Sequence, residues 1–333
     1  MYLDILNLIG NTPLVKLKKA SEITGCTILG KAEFMNPGGS VKDRAALYII
    51  NDAIKKGQIE KNGVVVEGTA GNTGIGLAVV ANALGFRTHI VMPNTQSQEK
   101  QQAILSLGAK LQLVPPAPYK SDEHFTKIAK QVAAKLSKSE DGGAVWANQF
   151  DNIANRDAHI YTTAEEVWAQ TNGKVDAFVS TVGSGGTLAG TGIGLKAKNK
   201  DIIIALADPC GASLYNYYAN GELKSEGNSI AEGIGQGRIT DNLKDAPVDD
   251  QFMINDEAGL EVIYSLIKDE GLSLGLSSGI NIAGAVKLAS SLGPGKTIVT
   301  MLCDSGFRYQ SRLFNPEFLI SKGLTPPSWL YQD

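Results

Sequence analysis

The stretch GVVVEGTAGNTGIGLAVVANALG (residues 63–85) decides the fold. Three consecutive valines end in a Glu-Gly pair, the chain turns through TAGN, and an apolar, Gly- and Ala-rich run follows. A short continuous apolar run before a glycine turn reads as a buried strand, and the longer run after it reads as a helix. A strand buried on both faces and followed at once by a helix is the unit of a parallel α/β sheet.

The same rhythm runs outward from this unit. RTHIVMP (87–93), AKLQLVP (109–115) and GAVWAN (143–148) read as strands, with helices over 98–108 and 124–138 between them. It resumes with the strand VDAFVST (175–181), the helix GTLAGTGIGLKAK (186–198) and the strand DIIIALAD (201–208). Helices over 256–271 and 278–293 and the strand KTIVTMLCD (296–304) complete it. Strand–helix alternation predicts parallel sheets covered on both faces, and 333 residues suffice for two such units. The expectation is an α/β chain of two doubly wound parallel-sheet domains, 1–150 and 151–333, with a ligand in the cleft between them. Two stretches break the rhythm: PPAPYKSD (115–122) and the polar, Gly-rich 217–251, whose length suggests a functional or mobile loop.

Composition narrows the function. With 31 basic and 34 acidic residues and no basic block, nucleic acid is not an expected partner. The N-terminus MYLDILNLIG reads as neither a signal peptide nor a membrane span. Cys26, Cys210 and Cys303 are far apart and odd in number, which fits a reducing, cytoplasmic setting rather than a disulfide framework. His89, His124 and His159 are scattered, so no metal site is expected.

Three turns concentrate glycine where a helix begins: EGTAGNTGIG (67–76), VGSGGTLAG (182–190) and GLSSGIN (275–281). Helix-start amides and the helix dipole make such turns anion sites. Tight packing explains one such turn as well as anion binding does; three, two of them rich in Ser and Thr, favour the anion. GSGGTLAG misses the dinucleotide fingerprint because position 188 is Leu, and GPGKT (293–297) lacks the first glycine of a P-loop and leads into a strand. A single phosphate held by residues 183–187, without arginine or lysine, fits better. Lys42 follows the Pro-Gly-Gly-Ser turn of NPGGSVKDRAA (36–46) and opens a helix. It is either an exposed helix-start lysine or a nucleophilic amine at the mouth of a site. A lone phosphate and a positioned lysine together suggest pyridoxal phosphate. Asp43 and Arg44 read as helix-start charges, Cys210 as inert, Tyr215, Tyr217 and Tyr218 as packing at least as readily as pocket-lining, and His159 as without a role.

In order and spacing, IGNTPLVKL (9–17), NPGGSVKDRAA, TAGNTGIGLA (69–78), NQFDNIAN (148–155), VGSGGTLAG, EGIGQG (232–237) and SSGIN (277–281) resemble the cysteine synthase group of the β-family of pyridoxal-phosphate enzymes. The resemblance covers nearly the whole chain and implies the tryptophan synthase β-like fold (fold type II), with the first ~40 residues able to cross to the second domain. It implies that Lys42 carries the cofactor as a Schiff base and that Asn72 bonds the ring hydroxyl. Gly183, Ser184, Gly185, Gly186 and Thr187 form the phosphate loop, and Ser277, or its neighbour Ser278, faces the pyridine nitrogen. It further implies that Thr69, Ala70, Gly71, Asn72 and Thr73 bind the substrate carboxylate with Gln149, that Gly233 lies near the substrate amine, and that the chain is a homodimer. A serine at the ring nitrogen leaves a weaker electron sink, suited to elimination or replacement at Cβ of a small amino acid.

Ala70 stands where the family usually has serine, and EGTAGNTG and EGIGQGRIT resemble a desulfhydrase branch. The expected activity is therefore L-cysteine desulfhydrase, giving pyruvate, ammonia and hydrogen sulfide. The alternative is cysteine synthase, joining O-acetyl-L-serine and sulfide into L-cysteine and acetate. A remoter alternative is a catalytically weak regulatory or binding homologue.

Overall fold

The computed structural model describes residues 3–331. The unit at 63–85 forms as its pattern dictates. β3 (Val64–Gly68) is buried along its length, and the helix Asn72–Leu84 follows the turn at Gly71. β3 lies within a four-stranded sheet ordered β5 (Lys110–Val114), β4 (Arg87–Pro93), β3, β6 (Ala144–Trp146), every pair parallel.

The second sheet has six strands, ordered β1 (Leu14–Lys16), β2 (Thr27–Ala32), β10 (Thr297–Leu302), β7 (Ala177–Ser180), β8 (Ile203–Pro209), β9 (Asp250–Ile254). Only β1, on β2, is antiparallel. β1 and β2 thus pair with strands from the far end of the chain, while the helix Lys42–Lys55 packs through Ile49, Ile50 and Ala53 against Leu77 and Val80 beside the four-stranded sheet. Core clusters cover both faces of each sheet, as parallel strands require. This is an α/β fold with parallel sheets in two domains.

Several elements carried no clear sequence signal. β1 and β6 have three residues each, too few for a period. The helical run 154–170 is interrupted by a π-helical turn, His159–Thr163, whose HIYTT sequence is poor in helix formers. The stretch 217–251 begins inside the helix Leu214–Asn220 and ends on β9, an edge strand preceded by Asp249 and half-exposed, hence without an apolar run.

Asp43 and Arg44 are more than helix-start charges, because both are buried. Arg44 Nε and Nη2 donate to the Glu33 carboxylate, each at 2.7 Å, and Nη1 donates to Glu166 at 2.6 Å. Lys31 also pairs with Glu166, at 2.6 Å. The network ties β2, the helix opened by Lys42 and the helix Ala164–Gln170 together behind the site. Its carboxylates are held ionised: Glu33, although fully buried, sits at about 2 because Arg44 outweighs the cost of burial.

Candidate active site

In both sheets the loops leaving the strand C-termini converge on one cleft, the usual ligand position in an open α/β sheet. Thr69–Thr73 follow β3, Gln149 follows β6, Thr181–Thr187 follow β7 and Cys303 follows β10. Together with Lys42 they line a cavity of about 360 Å³. Of the site residues expected from sequence, Lys42, Thr69, Ala70, Gly71, Asn72, Thr73, Gln149, Gly183, Ser184, Gly185, Thr187, Gly233 and Ser277 all face this cavity. Gly186 does not line it. It lies buried one residue behind, where a Cβ would overlap the Asn155 side chain.

Lys42 is half-buried at the N-terminus of its helix. Loss of water around Nζ lowers its pKa, and nearby Lys100 adds to the shift, while Cys303, Asp304 and Glu33 oppose it. A lysine so placed has a larger neutral fraction near pH 7 than an exposed one, which nucleophilic or basic use of the amine requires.

The turn 183–187 has the form of an anion cradle. Gly185 caps the helix Gly186–Lys198 with φ +94°, and no side chain caps that helix end. Among the described residues, no acceptor faces the amides of Gly183, Ser184 and Gly185. The Ser184 hydroxyl accepts from Asn155 Nδ2 at 2.8 Å, which leaves its own proton free to donate. Thr240 Oγ1 donates to the Ser184 carbonyl at 2.7 Å and fixes the turn from behind. Neither arginine nor lysine hydrogen-bonds this turn. Neutral amide and hydroxyl donors at a helix start, with a lysine lining the same cavity, fit a phosphorylated aldehyde.

Two adjacent serines are told apart by their surroundings. Ser277 lines the cavity, whereas Ser278 Oγ accepts from the Cys303 amide at 2.9 Å. Two other expected ligands are already engaged. Asn72 Nδ2 donates to Asp304 Oδ2 at 2.6 Å, and its Oδ1 accepts from Arg308 at 2.6 Å, so one amide proton remains for a ligand. Gln149 Oε1 accepts from Thr73 at 2.5 Å, while Nε2 donates to Gly68 O and to Glu67. Burial lifts the Glu67 carboxyl to about 8.

His159, given no role from sequence, contacts the helix start that follows the turn 183–187. Its Nε2 lies 3.2 Å from Thr187 Oγ1, and its Nδ1 lies 2.8 Å from Thr163 Oγ1. Burial first, then the Arg44 charge, depress it to about 3, so it is neutral. A depressed histidine is protonated in the unfolded chain below about 6.5 but not in the folded one until about 3; stability tied to it is present at neutral pH and lost as pH falls through that window. Between pH 6.5 and 5 the melting temperature of His159→Gln is therefore expected to fall less than that of the unmodified protein. Parallel falls would detach His159 from acid sensitivity. No sequence signal marked this residue: Thr163 and Thr187 reach it from two helices.

Cys303, whose thiol burial pushes up to about 11, also lines the cavity. Cys210 stays protonated as well, raised by partial burial and then by Asp256 and Glu257, in keeping with an inert thiol. Tyr215, Tyr217 and Tyr218 lie on the helix Leu214–Asn220 and do not line this cavity. Among the described residues no cluster could hold a metal ion, and no helix is long and apolar enough to cross a membrane.

Residues 5–304 match the family described as pyridoxal-phosphate dependent enzyme. Over 321 residues the chain is 52% identical to cysteine synthase 1 of Neurospora crassa, covering 95% of this chain and 84% of that one. The O-acetylserine-dependent cystathionine β-synthase of Helicobacter pylori superposes with a TM-score of 0.83 at 33% identity, covering 94% of this chain and 98% of that one. A hydrogen sulfide-producing enzyme of Fusobacterium nucleatum superposes with a TM-score of 0.81, also at 33% identity, covering 93% and 100%.

Proposed function

The chain belongs to the pyridoxal-phosphate-dependent enzyme family, and on that premise we propose that it is a cysteine synthase, which replaces the acetate of O-acetyl-L-serine by sulfide. The observation that carries this reading is the 52% identity, along 95% of the chain, to a protein named cysteine synthase 1. It reverses the order expected from Ala70 and the EGIGQG stretch, which placed desulfhydration first. The likeness to the hydrogen sulfide-producing enzyme keeps that activity as the second reading, at lower identity.

Bound pyridoxal phosphate supplies an electron sink that makes the substrate's α-proton acidic and lets the β-substituent leave. The rest falls to this chain's own residues. The free amides of residues 183–185, with the Ser184 and Thr187 hydroxyls, hold the phosphate. Lys42 Nζ would hold the cofactor's aldehyde end, and its amine, kept partly neutral by desolvation, would accept the substrate's α-proton. Ser277, on the cavity wall, would serve as the partner of the pyridine nitrogen and, being neutral, would not force it to stay protonated. Asn72, fixed between Asp304 and Arg308, would have one amide proton left to donate to the ring hydroxyl. Thr69–Thr73 hold the substrate carboxylate at the start of the helix Asn72–Leu84, where the dipole favours negative charge. For Gln149 to join them, Nε2 must leave Glu67 or Gly68 O.

The test is formation of L-cysteine from O-acetyl-L-serine and sulfide by the cofactor-loaded protein; no cysteine above the uncatalysed background would reject the reading. Restoring the absent hydroxyl adds a further expectation. Ala70→Ser should shift the apparent affinity for O-acetyl-L-serine by about tenfold at most, because one hydrogen bond contributes roughly 0.5–1.5 kcal/mol. The ratio of cysteine to pyruvate should barely move, and steady-state assays of both products would show it.

A further inference from the structure

Lys100 is 1% and Glu232 4% exposed, and they form a buried ion pair at 2.6 Å. Lys100 belongs to the helix Gln98–Ser106 beside the four-stranded sheet, and Glu232 to the Gly-rich segment after β8. Both line the site cavity. A second, larger cavity of about 900 Å³ lies beyond, lined by Ser97, Gln101, Asn228, Ser311 and Arg312, among others. The two cavities share Ala70, Glu232 and Gly233. The pair is therefore part of the wall between the reacting site and a polar outer space.

The pair also fixes the two strips of backbone that flank it. The methylene stem of Lys100 fills the space beside Gly71, where φ is +135° and a Cβ would collide with it. Lys100 Nζ lies 4.2 Å from the centre of the Tyr309 ring, and Arg312 Nε forms an ion pair with the other Glu232 oxygen at 2.9 Å without hydrogen-bond geometry. Gly233, next to Glu232, has φ +77° and nothing packed where a side chain would be, so its position depends on its neighbours. Removing Glu232 leaves the buried Lys100 amine without its carboxylate, and removing Lys100 leaves Glu232 with Arg312 alone; in either case water from the outer cavity is a source of compensation.

We infer that Lys100 and Glu232 are positioning residues that keep outer-cavity water from the reacting substrate, and so set how much O-acetyl-L-serine becomes cysteine and how much becomes pyruvate. This rests on the cysteine synthase reading. In the productive reaction hydrogen sulfide replaces acetic acid: the C–O bond at Cβ breaks and a C–S bond forms. In the leak, acetic acid leaves first, and one water then converts the three-carbon remainder into pyruvate and ammonia. Neither course needs an oxidant or a reductant.

The experiment measures cysteine and pyruvate together, from O-acetyl-L-serine and sulfide, in the loaded protein and in Lys100→Met, Glu232→Gln, the double variant and Lys100→Arg. The expected result is a several-fold rise in the pyruvate share in each neutral single variant. The double variant should be no worse than the worse single, and Lys100→Arg should stay near the original share. Cofactor absorbance of each variant shows that the site is assembled; if a single variant does not fold, the double variant and Lys100→Arg still decide. Both product rates falling by the same factor, or additive effects in the double variant, would overturn the inference. An unmodified protein that makes no cysteine would instead overturn the reading beneath it.

Discussion

Lys42→Ala is expected to lower turnover by about a thousandfold, the middle of the range for loss of a positioned general base. The same substitution should abolish the visible absorbance that depends on a covalent link between the cofactor and the protein. The two losses have separate causes. The first follows from the role proposed for the amine as acceptor of the α-proton, which its desolvation-lowered pKa supports. The second follows from Lys42 being the lysine that opens a helix on the cavity that the turn 183–187 also lines. Lys100, the other buried lysine lining the cavity, is bound to Glu232 and is not expected to substitute. An undiminished visible band in Lys42→Ala would assign the link to another lysine. A lost band with normal turnover would remove Lys42 from the proton transfer.

The second large effect is expected at the phosphate turn. Gly185→Asp should weaken cofactor retention by roughly a hundredfold or more, because hydrogen bonds to a charged group contribute about 1.5–3 kcal/mol each and at least two would be lost. The carboxylate would also repel the phosphate. Gly185 has φ +94°, and a Cβ there would press on the Leu243 side chain, so shape alone contributes. Gly185→Ala carries the same strain without the charge and separates the two. Retention after dialysis should fall in the order glycine, alanine, aspartate. Equal retention in all three would place the phosphate elsewhere.

What the sequence revealed and what it did not divide along a physical line. The strand-turn-helix units at 63–85 and 177–198 were legible because a parallel strand buried on both faces must be apolar throughout, and the helix after it must start on a glycine turn. That Lys42 and residues 183, 184, 185 and 187 belong to one cavity was foreshadowed because each stands in a contiguous stretch with its own turn. His159, Asp304, Arg308 and the Lys100–Glu232 pair were not, because each acts on a residue far away in the chain. Asp304 bonds Asn72 across 232 positions, and Lys100 meets Glu232 across 132. The pairing of β1 and β2 with β10 has the same origin, since register between distant strands leaves no local mark.

The emphasis on desulfhydration, which the relatives support less well than synthesis, has a physical reason too. A missing hydroxyl at position 70 alters how tightly a carboxylate is held. Elimination and replacement part only later, when either water or sulfide reaches the three-carbon remainder. That choice depends on the walls of the cavity, which are assembled from Gly71, Lys100, Glu232 and Gly233 and are not written in any one segment.

The central claim is synthesis of cysteine at this site, and its most direct test compares kcat/KM for two reactions of one loaded preparation. One is L-cysteine formation from O-acetyl-L-serine and sulfide; the other is sulfide and pyruvate release from L-cysteine alone. The predicted result is efficient synthesis with a much smaller kcat/KM for breakdown. Rapid release of sulfide and pyruvate from L-cysteine, with negligible cysteine formed from O-acetyl-L-serine, would contradict it.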